Sequence, residues 1–275
     1  MKETGYEIYR NLGLQNLRLL VGWQPDTGKL GPNLIDYLNN ELNTEQYAEI
    51  EPEGFAYLGG VHIENNVVQF PETIFKVSEK NKLLILKSNL PRYEHHTFLN
   101  LILDVAERAG EITEIYTFGG IASLISHTYT RSISTVANQL RFKEQLTSYG
   151  LETDMNYESA PEQRPSISSF LSWNAKRRNI SAVNLWILIP FYLATLADPQ
   201  AIKRTLSFLN QRFNLDLDFT NIDKEINNQE MKLTILREQK PVINRYLSML
   251  ERGIMLNDDE SNELSEEIVN YLTMN

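Results

Sequence analysis

"LRLLVGWQPDTGKLGP" (residues 17–32) begins as an almost continuously apolar run, breaks at Pro25 and Gly28, and closes on Gly31 and Pro32. A short apolar run without alternation, ended by turn formers, predicts a strand buried on both faces. Beyond it Pro32 suits the first turn of a helix, and Leu34, Ile35, Leu38 and Leu42 recur at helical spacing. Strand, loop, helix is the opening of an α/β unit. The loop also holds the residue types of a phosphate-binding loop, which needs four residues between its first glycine and Gly-Lys, then Ser or Thr for magnesium. Here five residues separate Gly22 from Gly28, and Leu30 follows Lys29. Trp23 and Pro25 put bulk, and one missing N–H, where bare backbone donors are required. The stretch therefore reads as a strand-to-helix turn.

Outward from this unit the pattern first shortens. "FAYLGG", "NNVVQF", "IFKVSE" and "KLLILKS", between residues 48 and 88, predict strands on tight connections, one of them a hairpin around Asn65 and Asn66. Pro91 is expected to open a helix with Phe98, Ile102, Val105 and Ala109 on one face and Gly110 as its stop. "EIYTFGG" (residues 114–120) is the next buried strand. Further strands are expected at 131–137 and 183–190, with helices at 140–148 and 167–178 and another after Asp198-Pro199, a cap followed by a first-position proline. Such alternation predicts a three-layer α/β/α sandwich over residues 1–220. From 221 to 275 the strand signal vanishes, and Ile222, Ile226, Leu233, Leu236, Ile243, Leu247 and Leu250 form a helical stripe broken at Pro241. This C-terminal helical appendage is expected either to pack on its own domain or to form an oligomer or partner contact. Residues 253–275 hold six acids and no base, the composition of a solvated helix or frayed tail.

Composition narrows the function. Hydrophobic residues at 42% and charged residues at 23% mark a folded globular chain of 275 residues. The absence of cysteine removes thiolate metal sites, thiol nucleophiles and disulfides. Residues 1–10 have neither a signal core nor a transit pattern, so a cytoplasmic location is expected. The longest apolar stretch, residues 185–197, is interrupted by Pro190 and falls short of the ~20 residues that span a bilayer, so no membrane partner is expected. A net charge of −10 argues against nucleic acid as a partner, and the Lys176-Arg177-Arg178 cluster lacks interleaved aromatics.

No set of residues has the spacing of a catalytic, metal or cofactor site. His95 and His96 are adjacent and diverge on a helix, unlike an i, i+4 ligand pair. His127 with Ser123 or Ser126 lacks the elbow that exposes a serine nucleophile. What remains is positional, because open α/β sheets collect ligands at the carboxyl ends of their strands. Two glycine loops, at 24–31 and at Gly119 and Gly120, lie at such ends, with Trp23, Asp26, Lys29, His127 and Arg131 as the side chains of interest. Lys29 and Arg131 have the charge to bind an anion, Asp26 the chemistry of a base, and Trp23 a face on which a ring stacks.

Taken together, "VGWQPDTGKLGP", "IYTFGG", "SHTYTR" and "LWILIPFYLATLADPQAIKRTLSFLNQRF" resemble the proteasome assembly chaperone type 2 family. Gly22, Trp23, Asp26 and Gly28 match the first motif of its prokaryotic branch, Gly119 and Gly120 the second, and His127, Thr128 and Arg131 approximate the third. Pro190, Tyr192, Asp198 and Pro199 also fit. The resemblance implies a mixed central sheet akin to phosphorylase and hydrolase folds, and self-association as a homo-oligomer, with a trimer among the expected forms. It implies a non-catalytic protein acting through protein contacts. The alternative is a protein, or a hydrolase-like or carboligase-like enzyme, that binds a nucleotide or phosphorylated metabolite at the glycine loops. Family members that dock on proteasome rings end in a hydrophobic residue, a tyrosine and one further residue, whereas "YLTMN" places Tyr271 too early.

Overall fold

The computed structural model describes residues 2–3, 5–56, 62–64, 66–158 and 165–274. Strand β1 (Lys2–Glu3) and β2 (Tyr6–Ile8) precede β3 (Leu14–Gln24), the apolar run of the opening motif. Helix α1 (Leu30–Glu41) leads to β4 (Glu45–Ile50), then β5 (His62–Glu64), β6 (Val67–Gln69), β7 (Thr73–Ser78) and β8 (Leu83–Asn89). Helix α2 (His95–Ala109) is followed by β9 (Gly110–Ser123), β10 (Ile133–Ala137), α3 (Leu140–Leu146), α4 (Ile167–Arg177) and β11 (Ser181–Pro190). Helices α5 (Pro199–Phe213), α6 (Thr220–Gln239), α7 (Pro241–Glu251) and α8 (Asp258–Met274) complete the chain.

Among the described residues nine strands form one mixed sheet in the order β1-β2-β4-β7-β8-β3-β9-β11-β10. Its centre, β8-β3-β9-β11, is parallel, and the strands outside it run antiparallel to their neighbours. Because side chains alternate along a strand, the two faces carry separate cores. Leu19, Val21 and Trp23 of β3 join Leu84, Leu86 and Ile115 under α2 and α4. Leu20 of the same strand joins Ile85, Tyr116, Phe118, Leu185 and Ile187 under α1, α3 and α5. The three layers expected from the alternating pattern are all present.

Local chemistry explains where elements stop. Gly110 ends α2 at φ 151°, and a Cβ there would stand 1.9 Å from the Leu14 carbonyl oxygen, so only glycine lets the helix turn directly into β9. Asp198 caps α5 by accepting from the Ala201 N–H, with Pro199 in the first turn as expected. Helix α2 begins one turn later than Pro91, because Glu94 immediately before it is left-handed at φ 48°.

Strands β1, β2 and β4 have no counterpart in the sequence reading. β2 and β4 carry charged and polar residues on one face, "YEI" and "EQYAEI", and pair antiparallel at the margin of the sheet. The hairpin around Asn66 is present as β5 and β6, which pair with each other in a sheet of their own. Of "FAYLGG", Phe55 and Ala56 lie in a turn, and residues 57–60 lie outside the described residues, as does Asn65.

The helical segment covers itself. Ile222, Leu233, Leu236, Ile243, Leu247 and Leu250 are buried in the same cluster as Leu20 and Leu34. Apart from Ile226, which is half-buried, the stripe is thus covered by its own chain. Acidic α8 likewise buries Leu264 and Ile268, and packs on the turn Phe191–Leu193 instead of fraying.

Candidate functional site

The loops after β3 and β9 leave the sheet in opposite directions, one toward β4 and the other toward β10. That divergence makes the crevice in which open α/β folds hold ligands. Here the chain fills it. Asp26 Oδ1 accepts from the Thr27 N–H at 2.9 Å and the Gly120 N–H at 3.2 Å, and Oδ2 accepts from the Gly31 N–H at 2.9 Å. The carboxylate thus ties the turn, the start of α1 and the end of β9 together.

The glycines permit this approach. Gly28 has φ 66°, donates to the Ala194 carbonyl at 2.7 Å, and accepts from the Asp198 N–H at 3.2 Å. A Cβ on Gly120 would stand 2.3 Å from the Thr27 carbonyl oxygen, and one on Gly119 2.5 Å from the Trp186 ring. Burial pushes the Asp26 carboxyl up to about 6, outweighing the three backbone N–H groups that favour its ionised form.

A second cluster sits beside the first, on the loop after β9 and the segment after β11. Arg131, 2% exposed, donates from Nε to Asp198 Oδ2 at 2.7 Å and from Nη1 to the carbonyls of His127 and Tyr129 at 3.2 and 2.5 Å. Its Nη2 is buried with no partner among the described residues. Asp198 Oδ1 accepts from the Ala201 N–H at 3.1 Å, so one carboxylate both pairs Arg131 and caps α5.

Tyr192 is buried, and its hydroxyl accepts from the His127 N–H at 2.6 Å. The same oxygen lies 2.9 Å from His127 Nδ1, and the imidazole tautomer sets which of the two donates. Burial, helped by the nearby Arg237 and Arg131, holds the imidazole down to about 4, so it is neutral. Ser126, the serine nearest this histidine in sequence, has its hydroxyl 3.0 Å from that of Thr128.

The seven residues singled out by sequence therefore fall into distinct places. Asp26, Gly119 and Gly120 meet in the filled crevice, and His127 and Arg131 form the buried cluster beside it. Trp23 is 4% exposed, shares a face with Leu19 and Val21, and donates from Nε1 to Ser168 at 3.0 Å, so its ring is part of the core. Lys29 lies on the surface, and its ammonium has no partner among the described residues. The opening near these residues is a groove of about 410 Å³, lined on one wall by Thr128, Thr130 and Arg131. Facing it are Gln200, Lys203, Arg204 and Ser207 of α5, with Ile226 and Glu230 of α6. Sequence reasoning missed these helical residues. Their spacing of three and four along α5 was a legible signal of one shared face.

Among the described residues no group of three or more His, Asp or Glu side chains is arranged to hold a metal ion, and no helix is long and apolar enough to cross a membrane.

With fold and site in view, the chain belongs to the PAC2 family, whose model matches residues 19–236. Three solved structures with the same architecture are informative. A protein of unknown function from Corynebacterium glutamicum superposes with TM-score 0.76 at 17% identity, over 91% of this chain and 97% of that one. Pyrococcus furiosus PbaB, an archaeal proteasome activator, gives 0.69 at 22% identity, over 86% and 99%. Pyrococcus furiosus PbaA, an archaeal homolog of proteasome-assembly chaperone, gives 0.66 at 16% identity, over 92% and 100%. At these identities the likeness establishes the fold. No curated protein matches the sequence.

Proposed function

We propose that this protein works without catalysis, in the cytoplasm, through protein-to-protein contacts as a homo-oligomer, a trimer being one form that fits, in the manner of assembly-chaperone relatives. Family membership supports this reading, and one structural observation carries it. Among the described residues the β5–β6 hairpin forms no strand pair with the main sheet, and it displays apolar side chains, with Ile63 61%, Val67 59% and Phe70 66% exposed. An isolated two-stranded hairpin is marginal in water, and outward apolar side chains ask for a cover. A second copy of this chain supplies one in the proposed oligomer.

Light scattering coupled to size exclusion tests the proposal. The wild-type chain is expected to run as an oligomer, and the double substitution Val67→Ser/Phe70→Ser to run as a folded monomer with an unchanged circular dichroism spectrum. A monomeric wild-type chain at every concentration overturns the oligomer reading. An oligomer unaffected by the substitutions removes the hairpin from it.

A further inference from the structure

We propose that the groove between the 128–131 loop and helices α5 and α6 binds a phosphoryl group carried by a small molecule, an inference independent of the protein-contact reading. The chain is acidic overall at −10, yet this groove of about 410 Å³ gathers Arg131, Lys203 and Arg204. The donors around it are incompletely used. Arg131 is held by Asp198 through Nε, and its Nη2 is buried without an acceptor among the described residues. A buried guanidinium N–H without a partner is costly, so such a group is retained where an acceptor completes it.

Arg204 has one long bond, from Nη2 to the Gly150 carbonyl at 3.4 Å, which leaves most of its fork free. Lys203 pairs with Asp223 through one of its three N–H groups. The Thr130 hydroxyl on the opposite wall is exposed. Opposing them is Glu230, whose Oε1 already accepts from Gln200 Nε2 at 2.9 Å.

The arrangement selects the ligand's chemistry. Cationic side chains line the groove from the loop and from two successive positions on α5, with Thr128 and Thr130 on the loop wall. A planar carboxylate offers two oxygens, too few to meet donors from separate walls, whereas a tetrahedral phosphoryl group presents three or more in different directions. A polyanion is excluded by the charge of the whole chain, which repels it beyond the immediate contact.

Isothermal titration of the full chain with inorganic phosphate at low ionic strength tests this site. Saturable binding at one site per chain is expected, weakened about tenfold by Arg204→Gln, which removes a charge-assisted donor. Glu230→Gln acts in the opposite sense and tightens binding roughly threefold by removing the like charge. Both side chains are on the surface of the groove, and thermal unfolding confirms that the variants fold. Absence of saturation, or one dissociation constant shared by wild type and both variants, overturns the site. Acetate binding as tightly as phosphate overturns the phosphoryl assignment.

Discussion

Asp26 and Arg131 stand at the same end of the same sheet and are handled in opposite ways. The carboxylate of Asp26 has no cation among the described residues and is satisfied by three backbone N–H groups that converge because Gly31 and Gly120 let main chains approach. Arg131 has a full countercharge in Asp198 and still keeps one nitrogen without an acceptor, next to an open groove. The first region is drawn together by backbone geometry, with three N–H groups on one carboxylate. The second was built from side chains, which meet a charge but leave donors in hand. The glycine-rich crevice thus acts as a clamp between main chains, and the polar groove lies beside it, against α5 and α6.

The comparison breaks most severely at the ion pair. Arg131→Ala strands the Asp198 carboxylate in the interior and is expected to cost ~3–5 kcal/mol in urea unfolding, while Arg131→Met/Asp198→Asn recovers a large part of that loss. If the single variant is near neutral, the pair is not buried as described. Gly120→Ala attacks the clamp by a different route. Its methyl would meet the Thr27 carbonyl at 2.3 Å, and a loss of about 1–3 kcal/mol, read as a lower Tm, is expected.

Titration sharpens the contrast with a smaller effect. Asp26 is raised to about 6 from its ordinary 3.8, so the stability it contributes is complete below pH 3.8 and is lost as pH rises through 6. His127 is lowered to about 4 from 6.5, so its contribution is complete above pH 6.5 and is lost as pH falls through 4. Between pH 4 and 6 the two slopes oppose each other. In Asp26→Asn only the histidine slope remains, and stability is expected to rise more steeply with pH, by roughly 2 kcal/mol across that window. His127→Gln shifts the slope the other way. Parallel pH profiles for wild type and both variants would show that folding shifts neither group's pKa. Smallest of all is Val67→Ser/Phe70→Ser on the hairpin, outside both regions, expected to move the unfolding free energy of the monomer by less than ~0.5 kcal/mol.

Much of the frame was readable from local pattern. The unbroken apolar run of β3 and the aspartate-proline start of α5 each express a preference satisfied within a few residues. β2 and β4 escaped because one polar face at the sheet margin breaks the apolar run that marks a buried strand. Trp23 was legible in part, since alternation along β3 puts it on the face of Leu19 and Val21, toward the core. Asp198 was read as a helix cap, which it is, but its second role as the partner of Arg131 joins residues 67 positions apart.

The sequence by itself determined the layered α/β class, the turn after the first central strand and the family pattern, because periodicity and turn chemistry act over a few residues. Only the tertiary structure decided that the turn is locked by Asp26 to Gly120, that the C-terminal stripe is covered by its own chain, and that Arg131, Lys203 and Arg204 share a groove. Those outcomes depend on which distant strands and helices become neighbours, and long-range packing leaves no local periodicity to read.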